Sequence, residues 1–128
     1  MPEHTIVSAP NAPAPGGHYS HAAVYGDLIF TCGQVGIDPS TGRLAEGVGA
    51  QTVQTLRNLT AVLEAAGSDW SRVIKVLAFL DDVDTFAEYN EAYRRVVGAD
   101  PPPRSSVGAK LAGDLLVEIE VIAYRAPS

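Results

Sequence analysis

Arg104 directly follows a run of three prolines at 101–103, and this arrangement could bind a small anion. The prolines hold the chain extended and stiff, so the arginine enters the next segment from a fixed direction. A guanidinium held in this way can form a bidentate pair with a carboxylate, whereas the simpler alternative is a surface ion pair. Strand alternation predicts that Arg104 and Ser106 share one face. The opposite, core-facing side is predicted to contain Val107, Ala109 and Leu111.

Two carboxylates, Glu118 and Glu120, lie in the segment LLVEIEVIAY. Alternation places both on one strand face that is otherwise apolar, roughly 7 Å apart, so they repel each other only weakly. If protein covers this face, each carboxylate needs water, a hydrogen-bond donor or a cation. One of them could then act as a general acid or base with a raised pKa. The alternative is a partly solvated face on which the two pair with basic side chains.

The other reactive side chains are weaker candidates. His18 and His21 flank Tyr19, but the chain has only one more histidine, His4, and no Cys-His spacing, so no metal site is predicted. Cys32 has no surrounding motif of a catalytic thiol, which favours a buried packing role. No glycine-rich loop opens a helix, and nucleotide binding is therefore not expected.

Length and charge limit the class of protein. The sequence has 128 residues, 46% of them hydrophobic, which predicts one domain over 1–128. Fifteen acidic and nine scattered basic residues give a net charge of −6, so no nucleic-acid partner is expected. No apolar run approaches the roughly 18 residues of a membrane span, and no apolar signal region follows Met1. We therefore expect a cytoplasmic protein with no membrane partner.

Hydrophobic patterning predicts an α+β domain with one sheet and two helices. Apolar residues at three- and four-residue steps predict a helix over 49–66, and a second helix is expected to begin at Asp84 or Thr85. Strands are predicted over 19–25, 28–32, 72–80, 104–111 and 115–124, with the first two joined in a hairpin by Gly26-Asp27.

The predicted strand 72–80 has apolar side chains on both faces. Two helices can cover only one face of a single sheet. Because large exposed apolar patches are rare on monomers, we expect another subunit to cover the second face. Alternation assigns one face to Ile74, Val76, Ala78 and Leu80, and the other to Val73, Leu77 and Phe79.

Four segments together resemble the RidA-type reactive-intermediate deaminases, the YjgF-like family. They are APAPGGHYSHAAVYGDLIFTCGQVGIDPSTG, LEAAGSDWSRVIKVLAFLDDVDTFAEYNEAY, PPPRSSV and LVEIEVIAY, and they follow one another over almost the whole chain. The resemblance implies a chorismate-mutase-like α+β fold, with one mostly antiparallel sheet and two helices on one face. It also implies a homotrimer with clefts between the subunits.

The resemblance further implies an activity that needs no cofactor. This activity is hydrolysis of reactive imines of the 2-iminopropionate type, tautomers of enamines such as 2-aminoacrylate, to 2-oxo acids and ammonia. The resemblance implies that Arg104 binds the substrate carboxylate and that Glu118 orients or activates the attacking water. It gives Glu120 no direct role. It places in the substrate pocket Tyr19, Gly33, Asn90 and Ser106.

This sequence departs from the family pattern at one of these pocket positions, Ser106, and at two residues beside Tyr19. His18 and His21 stand where proline and glutamine are common, and Ser106 stands where a cysteine is common, which excludes a mechanism that needs that thiol. Two alternatives remain: a pathway-specific deaminase resembling the 2-aminomuconate deaminases, and a non-catalytic or chaperone-like regulatory trimer that binds a 2-oxo acid. An endoribonuclease is the least favoured alternative, because the net charge is −6.

Overall fold

The computed structural model describes residues 3–127 and confirms the α+β class, with two helices on one face of a six-stranded sheet. The strand order is β1-β2-β3-β6-β4-β5, and every neighbouring pair is antiparallel except β4 and β5. The elements are β1 (Thr5–Val7), β2 (Ala22–Tyr25), β3 (Leu28–Thr31), α1 (Val48–Ala65), β4 (Val73–Leu80), α2 (Phe86–Val97), β5 (Arg104–Gly108) and β6 (Val117–Tyr124).

The predicted hairpin and both predicted helices are present. Gly26 takes a φ of 61° in the turn between β2 and β3, a conformation that glycine adopts without strain. The helix α1 buries its apolar stripe against the sheet. Its last helical residue is Ala65, and the chain turns away at Gly67, where φ is 85°. There the Ser68 N–H donates to the Leu63 carbonyl at 2.8 Å, which satisfies a carbonyl in the last turn of α1. No helix within residues 3–127 is long and apolar enough to cross a bilayer.

The predicted faces of β4 are wrong at its first two residues. Val73 pairs with Ala123, but the next paired residue is Lys75, opposite Ile122, so the strand has an irregularity at Ile74. The extra residue shifts the alternation, and Val73 joins the buried side while Ile74 is exposed. The buried side of β4 therefore consists of Val73, Val76, Ala78 and Leu80.

The predicted orientation of β5 is also wrong. Arg104 and Ser106 pair with Val76 and Ala78 of β4, whose side chains lie on the buried, helix-covered side of the sheet. Val107 lies on the opposite side and is 42% exposed. The strand ends at Gly108, so Ala109 and Leu111 lie beyond it. Two side chains expected to point away from the core are thus held beneath α2.

Neither helix covers the other side of the sheet, which we call the open face. The two carboxylates predicted to share one strand face both lie here. Glu118 is opposite Phe79 of β4, and Glu120 is opposite Leu77. Six apolar residues of this face are between 39% and 53% exposed: Ile6, Tyr25, Leu28, Phe30, Val107 and Tyr124.

Candidate functional site

Arg104 is held by one face of α2. Its Nη2 donates to Asn90 Oδ1 at 2.8 Å. Its guanidinium carbon lies 5.7, 5.2 and 4.5 Å from the ring centroids of Phe86, Tyr89 and Tyr93. These residues are three or four positions apart, a spacing that puts side chains on the same face of a helix. We call Arg104, Asn90, Ser106 and the three rings the arginine cluster.

A cavity of about 320 Å³ adjoins the guanidinium. Its wall is formed by the end of α2, including Tyr93 and Val97, and by the proline segment, including Pro101 and Pro102. Of the five N–H donors of an arginine, one is used by Asn90 within the described part of the chain. The remaining donors and the positive charge suit a small carboxylate.

Ser106 is the second polar group that β5 presents to α2. Its hydroxyl oxygen lies 2.9 Å from the hydroxyl oxygen of Tyr89, a residue that is fully buried. Burial raises the pKa of Tyr89, an effect that the nearby Ser106 and Arg104 oppose. Burial also raises the pKa of Tyr93, to about 12. Both phenols are therefore protonated at neutral pH.

Glu118 lies on the open face against the backbone of Gly33. A Cβ atom added at Gly33 would lie only 2.9 Å from the Glu118 carboxyl carbon, so glycine is required for this close approach. The approach is fixed by a pair of hydrogen bonds between Gln34 and Ile119, with N···O distances of 2.9 and 3.0 Å. Burial, and secondarily the charge of Glu120, raises the pKa of Glu118. We call Gly33, Glu118 and Glu120 the glutamate cluster.

Tyr19 belongs to the loop before β2. It is 51% exposed, and its hydroxyl accepts a hydrogen bond from the Gly16 N–H at 3.0 Å. The Cys32 N–H donates to the His21 carbonyl, which extends the β2–β3 pairing, so the segments carrying Tyr19 and Gly33 leave the hairpin at the same end. Tyr19 therefore lies at the same end of the hairpin as Gly33, and half of its surface is open to solvent.

His21 and Cys32 have packing roles. The buried His21 ring accepts from the Ala9 N–H at Nδ1 and donates from Nε2 to the Pro13 carbonyl, which ties the proline-rich loop to the sheet. The Cys32 thiol is half-buried and accepts from Gln34 Nε2 at 3.4 Å. Burial raises the pKa of Cys32, so the thiol is neutral and a poor nucleophile at neutral pH.

A single chain does not bring all the predicted site residues together. Arg104, Asn90 and Ser106 form one cluster on the helix-covered side of the sheet. Gly33 and Glu118 form the other on the open face. The sheet itself separates Arg104, the predicted carboxylate-binding residue, from Glu118, the predicted water-binding residue.

Comparison with known proteins gives the class to which this fold and site belong. The family model described as Endoribonuclease L-PSP matches residues 9–125. Among solved structures, RidA from the Antarctic bacterium Psychrobacter sp. has a TM-score of 0.89 and is 36% identical, covering 94% of this chain and 98% of that chain. The chain therefore belongs to the RidA and L-PSP family, which confirms the resemblance found in the sequence.

Two relatives show the kinds of protein in that family to which this chain is similar. A RutC family protein of Pyrococcus horikoshii is 43% identical over 122 residues, covering 94% of this chain and 97% of that protein. A 2-iminobutanoate/2-iminopropanoate deaminase of Salmonella typhimurium is 39% identical over 123 residues, covering 93% of this chain and 96% of that protein. Relatives of this chain thus include a protein named for imine deamination.

The three rings beneath Arg104 were not identified from the sequence as part of the site. Phe86, Tyr89 and Tyr93 have the spacing of a buried helix stripe, and this spacing alone does not distinguish core packing from contact with a cation. Their role depends on which side of β5 faces α2, and strand alternation cannot give that side.

We expect Gly33→Ala to displace the Glu118 carboxylate, because the added methyl group has no space beside it. Because the Glu118 side chain can turn away from the added methyl group, the loss of unfolding free energy should stay below the roughly 1–3 kcal/mol typical of an overpacked core. Thermal unfolding and a crystal structure of the variant would measure both effects. Gly49→Ala in α1 adds the same methyl group 3.4 Å from the flexible end of Glu88 and should leave Glu118 in place. An unmoved Glu118 in the Gly33→Ala structure would contradict the packing argument.

Proposed function

We propose that this protein hydrolyses small reactive imines that carry a carboxylate, such as 2-iminopropionate and 2-iminobutanoate, to 2-oxo acids and ammonia. The observation that carries the proposal is Arg104, held by Asn90 and three rings beside a cavity of about 320 Å³. Such a cavity suits a small acid, and the net charge of −6 disfavours a polynucleotide. Family membership and the deaminase relative support the same reaction.

The second part of the proposal is that the working unit is a homotrimer. The open face combines exposed apolar side chains with two carboxylates, one of which already has a raised pKa. Burying this face against other copies of the chain would remove apolar surface from water. Because the arginine and glutamate clusters lie on opposite sides of the sheet, a complete site needs the arginine cluster of one chain and the glutamate cluster of its neighbour.

The reaction needs a cationic anchor and a base. Arg104 binds the substrate carboxylate and fixes the imine carbon near the glutamate cluster. Glu118 takes a proton from a water molecule while the water oxygen forms a bond to the imine carbon, and the C=N π pair moves to the nitrogen, which receives that proton. In the resulting carbinolamine, Glu118 transfers the hydroxyl proton to the amine nitrogen, the C=O double bond forms as the C–N bond breaks, and ammonia and a 2-oxo acid are released. One water molecule is consumed.

The structure distinguishes the two carboxylates of the open face. Glu118 lies against Gly33, and burial raises its pKa toward neutrality, which makes it a stronger base than an exposed carboxylate. The carboxylate of Glu120 adds to this effect through its charge. Glu118 is therefore assigned the proton transfer, and Glu120 is assigned an influence on the pKa of Glu118.

For the assembly, light scattering of the purified protein should give three chains per particle. Phe30→Glu, which puts a charge on the open face, should break the particle into smaller species, whereas Val96→Glu on α2 should leave it intact. A folded monomer for the unaltered protein would contradict this prediction.

Mixing of inactive chains tests whether the site spans two subunits. Arg104→Lys and Glu118→Gln chains that are unfolded and refolded together should recover activity. When the two kinds of chain assort at random in a trimer, about a quarter of the clefts have an intact Arg104 from one chain and an intact Glu118 from its neighbour. Each variant refolded alone provides the baseline. Recovery no greater than the sum of the two baselines would place the whole site in one chain.

Arg104→Lys should reduce kcat/KM for 2-iminopropionate by about ten- to a hundredfold, because lysine keeps the charge but loses the planar fork and its stacking on three rings. Arg95→Lys is the matched control, since Arg95 is a highly exposed residue of α2 that pairs only with Glu91 in the described part of the chain. A kcat/KM within twofold of the unaltered protein for Arg104→Lys would overturn the carboxylate assignment.

Glu118→Gln should lower kcat by about 10²–10⁴, the usual contribution of a general base, and should change the affinity for pyruvate little. Activity of the unaltered protein should fall as pH decreases through the raised pKa of Glu118, because only the carboxylate form accepts a proton. Glu120→Gln should keep most of the activity at neutral pH. It should also move the fall in activity to lower pH, because removing the charge of Glu120 lowers the pKa of Glu118. Equal losses in kcat for the two variants would remove the distinction between the two carboxylates.

A further inference from the structure

Tyr89 contacts both Arg104 and Ser106, the two polar residues that β5 presents to α2. Its hydroxyl oxygen lies 2.9 Å from Ser106 Oγ, and the centroid of its ring lies 5.2 Å from the guanidinium carbon of Arg104. The residue is fully buried on α2, so its hydroxyl depends on these neighbours for hydrogen bonding. Neither the family comparison nor the sequence assigns it a role.

Either hydroxyl can be the donor in the hydrogen bond between Tyr89 and Ser106, and the charge of Arg104 favours donation from Tyr89. A guanidinium has only hydrogen-bond donors, so it can attract the lone pairs of the phenol oxygen but cannot accept its proton. In the favoured direction, the Tyr89 O–H donates to Ser106 Oγ. The Ser106 hydroxyl then has its own proton free for another acceptor.

We propose that Tyr89 is a positioning residue that makes Ser106 a hydrogen-bond donor to the carboxylate end of a substrate bound at Arg104. This inference rests on the proposed function. Ser106 is only half-buried, and β5 is the edge strand of the sheet, so its outer edge has no neighbouring strand within the described chain. Arg104 and Ser106 lie two residues apart on one strand face, roughly 7 Å, close enough for both to contact a small acid.

The hydrogen bond from Tyr89 would make Ser106 select a substrate group that accepts hydrogen bonds. A hydroxyl that receives a hydrogen bond from Tyr89 keeps its own proton free and has one acceptor lone pair fewer, so it favours an acceptor over a donor. A carboxylate oxygen takes that hydrogen bond and gains a charge-assisted contact, whereas a donor group such as an ammonium would leave the Ser106 proton unpaired. Tyr89 therefore contributes to the preference for acids without touching the substrate.

A double-mutant cycle on the full-length protein tests this role. Tyr89→Phe keeps the ring on Arg104 and removes only the hydroxyl, and Ser106→Ala removes the proposed donor. Each should raise KM for 2-iminopropionate about three- to tenfold, the usual net effect of one hydrogen bond, with kcat within about twofold. The double variant should be no worse than Ser106→Ala, because Tyr89 acts only through Ser106.

Two measurements separate positioning from structural damage. The dissociation constant for pyruvate should rise in parallel with KM in both single variants. Ser68→Ala is the matched control, since it removes another buried hydroxyl, which donates to the Tyr124 carbonyl at 2.7 Å far from this cluster, and it should leave KM unchanged. Thermal unfolding of all variants would show whether the fold is retained.

Each outcome has a distinct meaning. Losses that add in the double variant, an unchanged KM in Tyr89→Phe, or a fall in kcat alone would overturn the role of Tyr89 while leaving imine hydrolysis intact. An unaltered protein that does not hydrolyse 2-iminopropionate would instead overturn the proposed function, and with it this inference.

Discussion

The pairing of β4 with β6 on one side and with β5 on the other determines where every charged group of the site lies. Its antiparallel register with β6 puts Glu118 opposite Phe79, on the face that the helices leave open. Its parallel register with β5 puts Arg104 opposite Val76, on the face that α2 covers. One strand thus separates the cationic and anionic halves of the site by the thickness of the sheet.

The two halves act on their charged side chains in opposite ways: the first stabilises the charge of Arg104, and the second disfavours the charge of Glu118. Arg104 is stabilised by the negative faces of three aromatic rings and by the Asn90 carbonyl, which together restrict the guanidinium and leave donors free. Glu118 has no cation close enough for an ion pair within the described chain, and burial raises its pKa. The first arrangement favours tight anion binding, and the second favours proton transfer.

In the proposed trimer, assembly and chemistry would depend on the same surface. The open face contains Glu118, the proposed base, and β5, at one edge of the sheet, contains Arg104, the proposed carboxylate anchor. Apolar side chains around Glu118 and Glu120 would bind a second copy of the chain, and water excluded by that contact would strengthen the electrostatic interactions within the cleft. In the proposed trimer, the apolar surface that drives association also completes the site.

The amino-acid sequence determined both helices, five of the six strands and the residue types of the site, whereas the short edge strand β1 was not predicted. The three- and four-residue apolar steps gave α1, the Gly26-Asp27 turn gave the hairpin, and alternation correctly put Glu118 and Glu120 on one face, because these patterns are local. Alternation also paired Arg104 with Ser106, but it could not say which face of β5 is covered. That depends on long-range packing: the parallel register with β4, the irregularity at Ile74, and the rings of α2. The contact between Tyr89 and Ser106 was decided only by the tertiary structure, because two residues 17 positions apart meet only when helix and strand pack together.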